Sequence, residues 1–113
     1  MLLEVSGEDL RKQLNHIKKN LKGGRRSILY LEVYEDVLLL VYRNIEMPIQ
    51  VFNAIGTEHK LRAVYTIANY DLLQKLIAKF SDCDTYSLDF YPNAIRIKIG
   101  TVQFEVAASL KNL

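Results

Sequence analysis

Residues 31–38 read Leu-Glu-Val-Tyr-Glu-Asp-Val-Leu, and residues 88–95 read Leu-Asp-Phe-Tyr-Pro-Asn-Ala-Ile. Both stretches run apolar, acidic, apolar, tyrosine, turn, apolar, a pattern typical of a strand that enters a hairpin. Residues 9–14 and 71–76 match in the same way, with Asp, Leu and Leu in register. The order strand, helix, three strands is therefore predicted to occur twice. An internal repeat of this kind indicates that neither half buries its apolar face alone, so the halves must pack together.

Length and composition predict one globular domain. The chain has 113 residues, of which half are hydrophobic and a quarter charged, as is usual for a domain of this size. We take residues 1–113 as a single domain, with a first half of about 1–56 and a second half of about 57–113. The loop-like stretch Gly56–His59 is the predicted joint between them.

Several features favour a reducing compartment and no membrane. Cys83 is the only cysteine of the sequence, so no internal disulfide can form. The N-terminus does not resemble a signal peptide. The longest apolar run, Val37–Tyr42, is far shorter than a membrane span. We therefore expect a cytoplasmic protein.

The first half predicts a strand at Met1–Val5 followed by a helix. Ser6 is a favourable N-cap, and Asp9, three residues later, provides a weak variant of the capping box. Apolar residues then recur at helical spacing until Gly23–Gly24, which should end the helix; they are Leu10, Leu14, Ile17 and Leu21. The predicted strands that follow are Ser27–Tyr34, Val37–Tyr42 and Pro48–Ala54, the last of which begins with its proline.

The second half predicts a strand at Leu61–Ala68 and a helix that starts after the N-cap Asn69. The inward positions of this helix should be Leu72, Leu73, Leu76, Ile77 and Phe80, and the outward ones Gln74, Lys75 and Lys79. Apolar and polar residues then alternate through three segments, which are Tyr86–Phe90, Ile95–Ile99 and Val102–Val106. This period of two predicts antiparallel strands with one buried face. The fold class is α+β, with two helices on one face of an antiparallel sheet.

Positive charge is concentrated in one segment. Arg11–Arg26 contains seven basic residues and no acidic one, which leaves 8 basic and 13 acidic residues elsewhere, a net charge of −5. Such asymmetry indicates that a polyanion binds this basic segment. A solvated helix exterior is the alternative explanation.

The sequence gives little support to catalysis, a metal or a cofactor. His16 and His59 stand outside any cluster with metal-ligand spacing. Gly23–Arg26 lacks the Lys-Ser/Thr that completes a P-loop, and Cys83, between two aspartates, is expected to be an inert thiol. We expect a protein that is not an enzyme and uses no cofactor or metal.

The order and spacing of these segments resemble one domain of the DNA sliding clamps, the family of the bacterial polymerase III beta subunit and the proliferating cell nuclear antigen. The resemblance covers nearly the whole chain. It is carried by Asp9–Leu21, Tyr30–Tyr34 with its hairpin, Arg43–Ile49, Asn69–Phe80 and Tyr86–Ala107. It implies a domain of two strand–helix–three-strand units related by a pseudo-twofold axis. It also implies a ring of six such domains whose helices face a central hole that holds DNA.

The resemblance assigns the duplex DNA contacts to basic side chains on and after the helices. They are Arg11, Lys12, Lys18, Lys19 and Lys22 on the first helix, Arg25 and Arg26 behind it, and Lys75 and Lys79 on the second. Such phosphate contacts would be blind to sequence and sensitive to salt. Changing Lys18, Lys19 and Lys22 to Glu is predicted to abolish DNA binding without unfolding the domain.

Two non-enzymatic functions remain open. Bacterial clamps join three domains per chain and the eukaryotic type two, so a ring of this chain would be a homohexamer. The client-peptide pocket of bacterial clamps draws on more than one domain, and no residue is carried over for it. The chain is either a clamp-like DNA-binding module or a stand-alone interaction module, such as an inhibitor, a decoy or a toxin-neutralising partner. In both, the edge of a last strand at Thr101–Ala107 is the expected association site, through Thr101, Val102, Gln103, Phe104, Glu105 and Val106.

Overall fold

The computed structural model describes residues 1–20, 28–34, 36–55, 63–68, 70–80 and 84–111. Several predicted features lie outside these residues: Leu21, the helix stop at Gly23–Gly24, the joint at Gly56–His59, the N-cap Asn69, and Cys83. The helices are α1 (Gly7–Asn20) and α2 (Tyr70–Ile77). The strands are β1 (Leu2–Ser6), β2 (Leu29–Val33), β3 (Val37–Tyr42), β4 (Ile45–Ile55), β5 (Ala63–Ile67), β6 (Thr85–Tyr91), β7 (Ala94–Ile99), β8 (Val102–Ala107) and β9 (Ser109–Lys111). Helices and antiparallel strands together confirm the α+β class.

The nine strands form one antiparallel sheet in the order β8-β7-β6-β1-β4-β3-β2-β5-β9. β4 joins its two parts, because residues 45–50 pair with β3 and residues 51–55 pair with β1. The β1–β4 register changes so that Phe52 is an extra residue, a β-bulge. The bulge reverses the alternation of side chains. Met47 and Ile49 are buried before it, whereas Ala54 packs against the core after it.

The predicted start of β4 at Pro48 is wrong, because the strand begins three residues earlier. Arg43 and Asn44, with φ of 51° and 67°, form the turn from β3 and allow pairing to begin at once. Pro48 is tolerated inside the strand because this stretch of β4 has a sheet neighbour on one side only. Two residues on, the Gln50 N–H points away from β3 and donates to Asp9 Oδ2 at 3.0 Å. The Asp9 carboxylate therefore fastens α1 to β4, a contact that the capping-box pattern does not predict.

The chain also contains a strand that the sequence does not reveal. β9 is three exposed residues long and pairs with β5, so Thr101–Ala107 is not the last strand, and Thr101 itself lies in a turn. A segment this short carries too little periodicity to be recognised.

The core lies between the two helices and the inner face of the sheet. Its helical members include Leu10, Leu14 and Ile17 of α1 and Leu73 and Ile77 of α2, all at most 3% exposed. The Ser6 cap is confirmed, since Ser6 Oγ accepts a hydrogen bond from the Asp9 N–H at 3.1 Å. No helix in the described part of the chain is long and apolar enough to cross a membrane.

Two assignments on α2 are wrong. Helical spacing places Leu72 inward, but it is 45% exposed, and it places Gln74 outward, but it is 6% exposed. Gln74 is buried because its Nε2 donates to Asn15 Oδ1 of α1 at 3.1 Å. A second helix thus covers this side of α2, and the buried stripe is rotated away from Leu72.

A tyrosine pair ties α2 to the sheet and predicts a pH effect. The hydroxyls of Tyr42 and Tyr70 are 3.1 Å apart, and this hydrogen bond, together with burial, raises the pKa of Tyr70 from 10.0 to about 12. The folded state therefore holds the Tyr70 proton more tightly than the unfolded state. This contribution is complete below pH 10 and is lost as the pH rises towards 12.

We expect the free energy of unfolding to fall between about pH 10 and about pH 12, and Tyr70→Phe to remove part of that fall. Urea unfolding of both proteins at neutral and at alkaline pH measures it. An identical alkaline loss in the variant would contradict the assignment.

Candidate nucleic-acid interface

The two helices lie side by side and run antiparallel. Near the start of α1, Arg11 Nη1 donates to the carbonyl of Phe80, just beyond α2, at 3.1 Å. One turn later, Asn15 meets Gln74, which lies earlier in the chain than Phe80. The helices thus form a continuous pair on the core side of the sheet, and their outward faces are neighbours.

The outward face of α1 carries a row of basic side chains. Lys12, His16 and Lys19 are exposed and follow one another at spacings of four and three, so they share one side of the helix. Leu10, Leu14 and Ile17 occupy the opposite side and are buried. Lys18 is exposed as well, on the flank of α1 that also carries Arg11 and Asn15. A basic and an apolar stripe therefore lie on opposite sides of this part of the helix.

On α2, Lys75 lies within the helix and Lys79 just beyond its end, and both are exposed. Because the helices are antiparallel, Lys79 lies level with the start of α1, whereas Lys18 and Lys19 lie level with the start of α2. Positive charge is thus spread along the whole length of the helix pair. We call the five exposed lysines, Lys12, Lys18, Lys19, Lys75 and Lys79, the basic helix face.

Arg11 has a different environment from these lysines. Its side chain is half-buried, and Nη1 also donates to the Tyr86 hydroxyl at 2.9 Å, with the guanidinium carbon 5.7 Å from the centre of that ring. Arg11 therefore joins α1 to the end of α2 and to β6. Lys22, Arg25 and Arg26 lie outside the described residues.

A groove of about 460 Å³ runs beside the basic helix face, between α1 and β4. α1 contributes Lys12, His16 and Lys19 to its wall, and the start of β4 contributes Glu46, Met47 and Pro48. No pattern in the sequence indicates the groove, since it depends on how β4 approaches α1.

At the predicted association edge, β8 pairs with β7 and with no other strand of the described residues. Val102 and Gln103 are exposed there. Val106 is buried in the core, and Phe104 stacks on Phe80 at 6.3 Å between ring centres. Glu105 is bound to Arg96 at 2.9 Å. The edge therefore offers a partner the backbone groups that no described strand pairs, together with the exposed side chains of Val102 and Gln103.

The described residues contain no group of three or more His, Cys, Asp or Glu that could hold a metal ion. Among the described residues, the groups whose pKa is shifted are three tyrosines and Arg96, and the shifts come mainly from burial and local hydrogen bonds. Within the described part, the site offers a ligand positive charge and a groove.

Comparison with solved structures decides what this architecture is. The structure of a Helicobacter pylori beta clamp bound to a DNA ligase peptide matches 99% of this chain with a TM-score of 0.67, at 19% sequence identity. This chain has the fold of a sliding-clamp domain. It spans about a third of the length of that clamp chain, 31%. No family model and no curated protein sequence matches it.

The resemblance inferred from the sequence is therefore confirmed at the level of fold. In this clamp-fold domain, the basic segment of the sequence lies largely on α1, and α1 pairs with α2. Helical spacing identified the exposed lysines correctly. The burial of Gln74 and the partners of Arg11 arise from contacts between residues more than fifty positions apart, which no local pattern encodes.

Proposed function

We propose that this clamp-fold domain binds duplex DNA without sequence specificity, through the basic helix face. The observation that carries the proposal is that two adjacent antiparallel helices hold five exposed lysines, Lys12 and Lys19 among them on the side of α1 opposite the core. Lysine ammonium groups suit this role, because contacts to phosphate position a protein on DNA and carry no sequence information directly. Arg11 serves as a positioning residue that fixes the angle of α1 against α2.

We infer that the two halves of the domain are related by a pseudo-twofold axis. In support, β1 pairs with β6 and β4, and β5 pairs with β2 and β9. In each repeated stretch, the tyrosine hydroxyl donates a hydrogen bond to the carboxylate two residues before it. Tyr34 donates to Glu32 at 3.0 Å, and Tyr91 donates to Asp89 at 2.7 Å. On this interpretation residues 1–113 are a single domain, and each half supplies one helix to the DNA-facing surface.

Assembly is the second part of the proposal. β8 carries a free edge, and so does the start of β4, where the described residues supply a neighbour on one side only. Antiparallel pairing between such edges would join copies into an arc or a homohexameric ring that supports replication or repair proteins. The domain would act there as a cytoplasmic scaffold and not as an enzyme.

The free edge of β8 also favours a second candidate function. A strand of another protein could add to this edge through backbone hydrogen bonds, which would make the domain an interaction module of the inhibitor or decoy type. Such a module would not need the basic helix face.

Titration of two fluorescent duplexes of unrelated sequence at several salt concentrations tests the proposal. We expect similar affinity for both, and a log–log salt slope of about −0.9 for each phosphate neutralised. A mass of several copies in light scattering would accompany DNA binding if a ring or arc forms. A monomer that binds neither duplex would contradict the proposal and favour the interaction module.

A further inference from the structure

β3 differs from every other strand described, because its side chains are apolar on both faces of the sheet. Leu38, Leu40 and Tyr42 point inward and are fully buried. Val37, Leu39 and Val41 alternate with them and point outward, half-buried. In an antiparallel sheet with one solvated face, the outward positions are normally polar. Apolar residues at all three indicate a strand that is covered on both sides.

The neighbouring strands extend this apolar surface. Leu39 lies between Pro48 of β4 and Glu32 of β2, and Val41 lies between Glu46 of β4 and Tyr30 of β2. We call the surface the outer apolar face; it consists of Tyr30, Val37, Leu39, Val41 and Pro48. One carboxylate flanks it on each side of β3. It ends at Tyr30, whose ring is covered by the Lys111 ammonium at 5.2 Å from its centre.

The other half of the sheet shows that the fold does not require apolar residues there. In the hairpins β6–β7–β8, the outward Arg96 lies between Asp89 and Glu105, and Lys98 lies between Ser87 and Gln103. Arg96 donates two hydrogen bonds to Glu105 Oε1. These positions match Leu39 and Val41 in the order of the strands. Charged residues thus serve equally well on a solvated outer face, and the apolar set on β3 calls for a different explanation.

We propose that the outer apolar face docks an amphipathic helix of another protein, with an apolar stripe flanked by lysine or arginine. The three outward residues of β3 span about 14 Å at about 3.4 Å per residue, and a helix of about nine residues covers that length. Its basic flanks would meet Glu32 and Glu46. Outside Arg11–Arg26, the chain carries 8 basic and 13 acidic residues, so its body attracts a basic partner.

The same two carboxylates argue against a second copy on this face. In an aligned face-to-face pair of sheets, Glu32 and Glu46 of one copy would lie opposite carboxylates of the other. Like charges placed together in an interface oppose association. The docking site lies on the opposite side of the sheet from the basic helix face, and the two surfaces meet only at the edge of β4, where Glu46 and Pro48 also line the groove beside α1. The proposal does not depend on DNA binding.

Two synthetic helical peptides with the same leucine stripe, one flanked by lysine and one by glutamate, test the proposal by fluorescence anisotropy. We expect the lysine peptide to bind at least about tenfold more tightly than the glutamate peptide. Leu39→Lys should abolish this binding. A matched lysine on the outward face of β8, Gln103→Lys, should leave it unchanged.

The double variant Glu32→Gln/Glu46→Gln keeps the size of both side chains, and the new amide oxygen on β2 can still accept from the Tyr34 hydroxyl. The double variant should weaken binding of the lysine peptide several-fold. If Leu39→Lys does not fold, the proposal can still be tested with this double variant. Absence of binding, equal binding of both peptides, or binding that survives both variants would overturn the proposal. So would a dimer that Leu39→Lys dissolves, because the face would then belong to a second copy. DNA affinity, measured on the same variants, should not fall.

Discussion

Changing Lys12 and Lys19 to Glu should lower the affinity for duplex DNA on the order of 100-fold at low salt. Both ammonium groups project from the outward side of α1, opposite Leu14 and Ile17. Each substitution removes an ammonium group that binds phosphate and adds a charge that phosphate repels. The salt slope should also decrease in magnitude by about one unit for each ammonium group removed. Anisotropy titrations at a series of salt concentrations measure both quantities.

A second double variant, Lys98→Glu/Lys111→Glu, provides the control because it changes the net charge of the protein by the same amount. Both of its sites are exposed on the sheet and lie away from the helix pair. We expect little change in DNA affinity. If the control loses as much affinity as Lys12→Glu/Lys19→Glu, net charge alone drives binding, and the basic helix face has no special role.

Replacing Leu73 by Ala should destabilise the domain by about 2–5 kcal/mol, the usual cost of a cavity at a buried leucine. Leu73 is 3% exposed and belongs to the core. For a domain of this size the melting temperature would fall by at least about 8 °C. Urea unfolding followed by circular dichroism gives the change in free energy.

The neighbouring residue supplies a matched control. Leu72 is 45% exposed, so Leu72→Ala makes the same chemical change on the same helix at a surface position. We expect a change within about 0.5 kcal/mol. Equal losses for the two variants would place Leu72 in the core and contradict the orientation of α2.

Most of the fold could be predicted from the sequence because its elements have strong local patterns. Both ends of β3 follow from its apolar run, and the period-two alternation of Tyr86, Leu88 and Phe90 identifies a strand whose inner face is buried. Ser6 is recognisable as a cap from residue type and position. These features depend on neighbours within a few residues, which the sequence displays directly.

The features that escaped prediction depend on contacts distant in sequence. The bulge at Phe52 follows from pairing of β4 with β1, and Gln74 is buried by Asn15 of the other helix. Arg11 has the same charge as Lys18 and lies on the same flank of α1, seven residues earlier. Lys18 is exposed, whereas Arg11 lies against Phe80 and Tyr86. Residue type and spacing therefore identify the basic helix face, but they cannot separate a solvated cation from one held between elements.

Mapping backbone amide shifts by nuclear magnetic resonance during titration with a short duplex tests the central claim most directly. If the two helices form one DNA-facing surface, the shifts will concentrate on α1 around Lys12, His16 and Lys19 and on α2 around Lys75 and Lys79. Shifts centred on the outer face of the sheet, around Lys98 or Lys111, would contradict the claim, as would the absence of any shift at low salt.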